Sequence, residues 1–368
     1  MRVCIAAGGT GGHLYPGIAL AEELLRQSEK SQVEFVGTRR GLEARVLPNT
    51  GFRLSCIAVR GVMGASPLMA LMAIVQLPIA IMQCIFLLRR KRSELVIGIG
   101  GYSSPPLILA AFCLGIPRVI VEPNIIPGMA NRLASKVADL ALLAFGETKR
   151  AFQSVPTKVV GVPLRKEFES VPIQTSSGGP ASGQETILIL GGSQGSRAIN
   201  RAVIRALSIL GDRCSGIHII HQAGEADYIF VRHLYAEMDI DAVVVASLND
   251  VRKAYADANF VICRSGAGTI AELAACGKAS ILIPFPSSSK HHQLRNAEFM
   301  SNAGASILIE EACLTGEVLA SAISGLLDDR AALMEMEEHS LFLSKRDATS
   351  QSIKFCKELI TPKTSLVS

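Results

Sequence analysis

Glycine-rich segments follow short apolar runs at four places in this 368-residue chain. They are GGTGGH at 8–13, GIGGYSS at 98–104, GGSQGS at 191–196 and RSGAGT at 264–269. Glycine lets a backbone approach a ligand closely, and a helix that begins there points N–H groups and its positive dipole end outward. Such turns favour phosphate-like anions. The first turn also ends in His13, whose imidazole ordinarily titrates near neutrality and suits proton transfer.

The spacing of the glycines argues against two common nucleotide-binding classes. Neither GGTGGH nor GGSQGS has glycines at the first, third and sixth positions of the dinucleotide fingerprint, and neither carries the Lys-Ser/Thr pair of a phosphate loop. We therefore expect neither a dehydrogenase nor an NTPase. Asp239 and Asp241 have the Asp-x-Asp spacing of metal-dependent sugar transferases, but they precede a predicted strand. Ligands of parallel sheets bind beyond the opposite strand ends, so we expect no metal there.

Glu272 lies on the helix predicted to follow RSGAGT. A carboxylate near the start of a helix is a common capping device, which is one interpretation. The other is that Glu272 accepts hydrogen bonds from both ribose hydroxyls of a nucleotide whose diphosphate lies at a neighbouring helix N-terminus. The residues alone leave both open.

The apolar runs predict a doubly wound α/β protein, because continuously apolar strands separated by helices form a parallel sheet that is covered on both faces. The runs are RVCIAA, VEFVG, ELVIGIG, RVIVE and DLALLA in the first half, and TILIL, IHIIH, DAVVVA, FVICR, ASILIP and ASILIE in the second. The two main glycine turns lie half a chain apart, and the length exceeds what one core supports, so we expect two similar domains.

The domain boundaries follow from a Ser-, Gly- and Pro-rich stretch, PIQTSSGGPASGQE, which has almost nothing to bury. We predict an N-terminal Rossmann-like domain at 1–165, a linker at 166–185 and a second Rossmann-like domain at 186–345. A helix near 346–362 is predicted to return to the first domain.

The amino-acid composition indicates the class of protein and the cellular compartment in which it is expected. Hydrophobic residues make up 49% and charged residues 19%, which indicates a globular protein. A net charge of +5, with five Tyr and no Trp, does not suggest a nucleic-acid partner. Nine scattered cysteines indicate a reducing cytosol. The start of the chain does not read as a secretory signal.

One uncharged run, from Pro67 to Leu88, has the length of a membrane span of ~20 residues and ends in a basic cluster. It lies between two strands of one predicted sheet, so we predict a helix that packs on the sheet and dips its outer face into an anionic membrane surface. An ordinary buried helix with a solvated basic end is the alternative. The residues predicted to contact the membrane are Leu71, Ile74, Ile81, Arg89, Arg90, Lys91 and Arg92.

Seven segments, in this order and spread over almost the whole chain, resemble the MurG family of peptidoglycan glycosyltransferases: GGTGGHLYPG, GIGGYSS, EPNIIPGMAN, GVPLR, GGSQGS, CRSGAGTIAE and HHQLRNA. The resemblance implies the GT-B architecture, two doubly wound domains facing each other across a cleft. It implies inverting transfer of GlcNAc from UDP-GlcNAc to the 4-hydroxyl of undecaprenyl-diphospho-MurNAc-pentapeptide. It also implies a peripheral location on the cytoplasmic face of the inner membrane, beside other cell-wall synthesis proteins.

The resemblance also assigns donor-binding residues. It places Glu272 on the ribose, Ser193 and Arg165 near the diphosphate, the backbone of Leu248 beside the uracil, and His292 with Gln293 near the sugar. The remaining donor contacts that it implies are Thr10, Gly11, Gly12, Asn124, Ala267, Gly268, Thr269, Ile270 and Ala271.

The implied reaction needs a base for the attacking hydroxyl, and His13 is the predicted base, with Glu122 and Asn124 as alternatives. The family's usual HEQN is VEPN at 121–124, so Val121 and Pro123 bring no polar side chain to this segment. We expect no metal or other cofactor, because helix dipoles, backbone N–H groups and Arg165 would meet the leaving charge. Other GT-B enzymes of UDP-sugars, either a glycolipid transferase or UDP-GlcNAc 2-epimerase, and a non-catalytic nucleotide-sugar binding protein remain as alternatives.

Overall fold

The structure, a computed structural model, describes residues 1–59, 67–169, 184–192, 194–248, 250–286 and 291–361. Within the helix at Pro67–Lys91 it describes side chains from residue 76 onward. Contacts divide the chain into a first unit, Met1–Lys166 with Asp347–Ser368, and a second unit, Glu167–Arg346. Most of the predicted linker lies outside the described residues.

The first unit contains a parallel sheet of seven strands in the order β3-β2-β1-β4-β5-β6-β7. The strands are β1 Arg2–Ala7, β2 Gln32–Gly37, β3 Arg53–Cys56, β4 Leu95–Gly100, β5 Arg118–Glu122, β6 Leu140–Leu143 and β7 Thr157–Val159. The helices are α1 Gly11–Gln27, α2 Leu42–Val46, α3 Pro67–Lys91, α4 Ser104–Cys113, α5 Met129–Ala134 and α14 Ala348–Ile360. A short helix, α6 Lys166–Glu169, crosses the boundary, with only its first residue in the first unit. Strand β7 is short and partly polar, which explains why apolar patterning did not predict it.

Helices cover both faces of this sheet. Side chains of β1 alternate between two cores, as the period of a strand requires. Val3 and Ile5 pack in the core that holds Ile353 of α14, and Cys4 packs in the core that holds Cys84 of α3. Helix α14 therefore completes the layer beside α1. Thr349 fixes it there, because its hydroxyl donates to the carbonyl of Leu164 and accepts from the N–H of the same residue.

The second unit contains a parallel sheet of six strands in the order β10-β9-β8-β11-β12-β13. The strands are β8 Glu185–Leu190, β9 Ile217–Gln222, β10 Ala242–Val245, β11 Phe260–Cys263, β12 Ala279–Leu282 and β13 Ser306–Leu308. The helices are α7 Arg197–Leu210, α8 Tyr228–Glu237, α9 Val251–Asp257, α10 Ala267–Cys276, α11 His292–Asn302, α12 Gly316–Asp328 and α13 Arg330–Phe342. The doubly wound prediction is confirmed for both units.

The strand order reverses at one point in each sheet, between β1 and β4 and between β8 and β11. Ligands of doubly wound proteins bind beyond the carboxyl ends of the strands at such a point. The four glycine-rich segments follow these four strands, so the fold brings them together in pairs at the two switch points.

Candidate active site

His13 lies in the first turn of α1, beside the glycine turn that follows β4. The carbonyl of Thr10 accepts the N–H groups of His13 and Leu14 at 3.2 and 3.1 Å, which starts the helix. The Thr10 hydroxyl oxygen lies 3.2 Å from His13 Nδ1. A Cβ added to Gly100 would lie 2.8 Å from His13 Nε2, so the imidazole covers a position that only glycine leaves open. The imidazole is half-buried. It follows β1 and lies against the end of β4, the two strands that form the first switch point.

A buried carboxylate that the sequence analysis missed holds the first glycine turn. Glu43 is 2% exposed. Its oxygens accept the N–H of Gly9 at 3.2 Å, the N–H of Thr38 at 2.8 Å and the Thr38 hydroxyl at 3.0 Å. A Cβ at Gly37 or Gly41 would collide with this side chain. The sequence signal was GTRRGLE, in which two glycines and a glutamate follow a strand at close spacing.

Arg165 lies on the first unit, next to the same turn. Its guanidinium carbon is 6.0 Å from the centre of the Tyr15 ring, which places it in cation–π range. The Tyr15 ring in turn lies against Gly11, where an added Cβ would be 3.2 Å from its Cε2. A fixed positive charge therefore stands near the N-terminus of α1.

Glu122 and Asn124, the two alternative bases, belong to one network. Oε1 of Glu122 accepts hydrogen bonds from the backbone N–H and the side-chain amide of Asn124. Oε2 accepts hydrogen bonds from the backbone N–H of Gly128 and the side-chain amide of Asn131. The four distances are 2.9 to 3.2 Å. Burial raises the pKa of Glu122 to about 7, and the four N–H donors oppose this shift. Because the carboxylate is 1% exposed, it orients Asn124 and the loop up to Asn131 rather than facing solvent.

In the second unit, Arg264 stabilises the GGSQGS turn through a hydrogen bond to Ser196. The Ser196 hydroxyl caps α7 by accepting the N–H of Ile199 at 3.4 Å. The same oxygen accepts from Arg264 Nη2 at 2.7 Å. Arg264 is 9% exposed and also forms an ion pair with Glu311. Its guanidinium thus ties together the turns after β8 and β11. Ser193, predicted at the diphosphate, lies outside the described residues.

Helix α10 carries six predicted donor residues, of which four are partly exposed and two have buried side chains. Gly268, Thr269, Ala271 and Glu272 are partly exposed. Ala267 and Ile270 are 2% exposed, so only their backbones are available to a ligand. Among the described residues, no acidic side chain lies in the first turn of α10. Glu272 therefore does not cap this helix, and its Oε2 instead accepts from the Tyr255 hydroxyl at 3.2 Å.

The predicted sugar residues lie at the start of α11, and the predicted uracil residue lies in the segment after β10. Gln293 Oε1 accepts the N–H of Phe285 at 2.9 Å, and the Gln293 carbonyl accepts the Ser265 hydroxyl at 2.8 Å. These bonds connect the start of α11 to the ends of β11 and β12. His292 precedes Gln293 as the first residue of α11, and Leu248 is half-buried in the segment after β10.

The outer face of α3 includes residues that were not among the predicted ones. Ala80, Cys84 and Leu88 are buried against the sheet, and Ile81 is partly buried against the same core. The membrane contact of Ile81 stays a prediction, since its side chain is only partly exposed. Among the α3 side chains from residue 76 onward, the large exposed apolar ones are Ile79, Met82 and Phe86, at 52, 63 and 69%.

At the basic end of α3, one of the four predicted membrane cations pairs with a carboxylate of the protein. Lys91 Nζ pairs with Glu34 Oε2 at 2.7 Å, so this ammonium is engaged by the protein. Arg89, Arg90 and Arg92 are exposed. The side chains of Leu71 and Ile74 lie outside the described residues. Across the part of the chain that the structure describes, no helix is both long and apolar enough to cross a membrane.

Comparison with known proteins places these features in one family. Residues 3–143 match the family model of the glycosyltransferase family 28 N-terminal domain, and residues 186–352 match that of the C-terminal domain. The chain is similar to two proteins named UDP-N-acetylglucosamine--N-acetylmuramyl-(pentapeptide) pyrophosphoryl-undecaprenol N-acetylglucosamine transferase. The one from Myxococcus xanthus is 39% identical over 98% of this chain and 93% of its own length. The one from Thermodesulfovibrio yellowstonii is 41% identical over 99% and 100%.

A crystal structure of Acinetobacter baumannii MurG superimposes with a TM-score of 0.81 at 30% identity, covering 97% of this chain and 99% of that one. The chain belongs to the MurG family of glycosyltransferases. The predicted GT-B fold class, with two doubly wound domains, and the assignment as a glycosyltransferase are thereby confirmed.

The departure of this chain from the MurG family segment HEQN has a structural explanation. Val121 lies on β5, is 1% exposed and packs in the core that also holds Ile5 and Ile353. Its side chain therefore makes apolar contacts. Pro123 follows at the strand end, where the neighbouring Glu122 supplies the hydrogen bonds that shape the loop. The polar contacts of this segment are made by Glu122 and Asn124, with Gly128 and Asn131 as further donors to Glu122.

Proposed function

We propose that this chain transfers GlcNAc from UDP-GlcNAc to the 4-hydroxyl of undecaprenyl-diphospho-N-acetylmuramoyl-pentapeptide, a step of peptidoglycan synthesis. The observation that carries the proposal is similarity over nearly the whole length to transferases of this name, at 39 and 41% identity. The positions of the glycine turns support it, because each switch point offers helix N-termini to a diphosphate, and both substrates contain one.

In the proposed reaction His13 is the base. Nε2 takes the proton of the 4-hydroxyl while the oxygen attacks the anomeric carbon of GlcNAc from the face opposite UDP. A new C–O bond forms, the bond from the anomeric carbon to the diphosphate oxygen breaks, and the electron pair leaves with UDP. The configuration at the anomeric carbon is inverted. For this role Nε2 must be unprotonated, so Nδ1 carries the proton and donates it to Thr10 Oγ1.

The donor is proposed to bind with its ribose hydroxyls on Glu272, its uracil beside Leu248 and its sugar near His292 and Gln293. The N-termini of α7 and α10, with Arg165, would stabilise the charge that develops on the leaving diphosphate. We propose that no metal is required. Full activity in excess EDTA would support this part, and loss of activity that Mg²⁺ restores would contradict it.

Peripheral membrane attachment belongs to the same proposal, since the acceptor is a lipid. The exposed face of α3 formed by Ile79, Met82 and Phe86 precedes three exposed arginines, Arg89, Arg90 and Arg92. Apolar side chains beside a basic helix end are suited to the surface of an anionic bilayer. The cell-wall synthesis machinery is the expected cellular setting, including its part in cell shape and division.

The function is tested with UDP-GlcNAc labelled in the sugar and the lipid-linked muramoyl-pentapeptide as acceptor. The proposal predicts label in the lipid-linked disaccharide and one UDP released per transfer. Label found only in free sugar would overturn transfer. Conversion of the donor to UDP-ManNAc would indicate the epimerase instead, and transfer only to a lipid without the muramoyl unit would indicate a different glycolipid enzyme.

A further inference from the structure

Tyr255 is a fully buried phenol that reaches the carboxylate of Glu272. It lies on α9, and its ring packs edge-on against Phe168, with the centroids 6.0 Å apart and the planes at 75°. Both rings are inaccessible to solvent. The Tyr255 hydroxyl oxygen is 3.2 Å from Glu272 Oε2 on the neighbouring helix α10. A rigid, buried ring therefore carries one hydroxyl to a partly exposed carboxylate.

The direction of this hydrogen bond follows from the surroundings of the phenol. Burial, followed by the negative charge of Glu272, raises the pKa of Tyr255 well above its ordinary value. The phenol therefore keeps its proton and donates it to the carboxylate. A hydrogen bond with an ionised acceptor is stronger than one between neutral groups, and it restricts the rotation of the glutamate side chain.

We propose that Tyr255 is a positioning residue for ribose recognition: its hydroxyl holds Glu272 in the orientation in which the carboxylate accepts the ribose hydroxyls of the donor. The inference rests on the proposed function, which assigns the ribose to Glu272. A carboxylate oriented before binding loses less rotational freedom when the nucleotide arrives, so the effect is expected in donor binding rather than in the chemical step.

The second unit offers a matched control. Tyr235 is also buried, at 2% exposure, and its hydroxyl lies 2.8 Å from His221 Nδ1. Burial lowers the pKa of His221 to about 3, so this imidazole stays neutral. Tyr235→Phe and Tyr255→Phe thus each remove one hydroxyl from a buried ring and keep its packing. Only the second removes a partner of Glu272.

The experiment compares UDP-GlcNAc with its analogue in which the nucleoside is 2′-deoxyuridine. Wild type, Tyr255→Phe, Tyr235→Phe and Glu272→Gln are assayed with a saturating lipid-linked acceptor. We expect Tyr255→Phe to raise KM for UDP-GlcNAc about three- to tenfold, with kcat within about twofold. Its preference for the ribose donor over the deoxyribose donor should fall by a similar factor, whereas Tyr235→Phe should keep the wild-type preference.

Each outcome separates this inference from the function on which it rests. If Glu272→Gln loses the preference for ribose but Tyr255→Phe retains it, the positioning role is refuted and the ribose contact stands. If Tyr255→Phe weakens both donors equally, the hydroxyl serves only the fold and the positioning role is again refuted. If Glu272→Gln keeps the full preference, the ribose assignment fails and the role of Tyr255 fails with it.

Discussion

His13 Nδ1 lies 3.2 Å from the hydroxyl oxygen of Thr10, three residues earlier at the start of α1. If Nε2 is the base, Nδ1 carries the proton and Thr10 is its acceptor. The contact then fixes both the tautomer and the plane of the ring. This is the arrangement by which proteins commonly set which nitrogen of a histidine reacts.

Replacing Thr10 with valine should therefore lower kcat about tenfold, a fraction of the 10²- to 10⁴-fold that a general base contributes. Within the described residues the Thr10 side chain makes no capping hydrogen bond, so the loss of a helix cap is not the cause. Thr10→Ser keeps an acceptor and should retain most of the activity. Steady-state kinetics would contradict the role if Thr10→Val and Thr10→Ser gave equal kcat.

Gly100 offers a second test of the position of His13. Its φ of +135° disfavours a side chain, and an added Cβ would lie 2.8 Å from Nε2. We expect Gly100→Ala to displace the imidazole and to lower transfer about 100-fold. Gly115 is the control, because its φ is +66° but an added Cβ meets nothing within 4 Å. Gly115→Ala should lower the thermal midpoint and leave kcat unchanged, and equal loss of kcat in both variants would reject the prediction.

The buried carboxylate of Glu122 gives stability a pH dependence. Its pKa is about 7 in the native protein and near the ordinary value of 4.5 in the unfolded chain, because burial is the largest cause of the shift. The native state thus holds the proton to a higher pH than the unfolded chain does. The contribution of Glu122 to the free energy of unfolding is fully present below pH 4.5 and falls as the pH rises to about 7, by on the order of 3 kcal/mol.

Denaturant unfolding of wild type and Glu122→Gln between pH 4 and 8.5 measures this term, since other titrating groups cancel in the difference. The stability of wild type relative to the variant should fall between pH 4.5 and 7 and level off above. A difference that stays constant over that range would show that Glu122 keeps an ordinary pKa.

The α3 face predicts membrane binding that depends on particular side chains. Replacing Met82 and Phe86 together with serine should lower binding to vesicles containing phosphatidylglycerol at least tenfold, because each buried apolar side chain contributes about 1.5 to 3 kcal/mol. Phe342→Ser is the control, since Phe342 is 88% exposed on α13 of the second unit. Co-sedimentation at two salt concentrations measures the apolar and the electrostatic contributions to vesicle binding. Unchanged binding of the double variant would remove α3 as the membrane contact.

Most of the strands, the fold class and the family were predictable because they depend on local patterns. Apolar runs mark the buried strands, and the glycine turns fall at the switch points because phosphate recognition needs them there. Glu43 and Tyr255 were missed for the opposite reason. Each acts through a partner on another element, Gly9 for Glu43 and Glu272 for Tyr255, and the close spacing in GTRRGLE does not reveal which distant backbone group Glu43 binds.

The helix α3 shows a similar limit. The length of the helix and its basic end were predictable from the sequence. Its rotation about its own axis depends on how it packs on the sheet. That packing places Ile81 partly against the core and brings Glu34 of β2 to Lys91. An almost uniformly apolar helix carries too little contrast between its faces to predict this rotation from sequence.

Single-turnover transfer of labelled GlcNAc by wild type and His13→Ala, with UDP-GlcNAc affinity measured in parallel, decides whether His13 deprotonates the acceptor hydroxyl. If His13 is the base, the rate in the variant should be about one hundredth of the wild-type rate or less, with donor affinity changed less than about threefold. Transfer by His13→Ala at a rate close to that of wild type would contradict this role of His13.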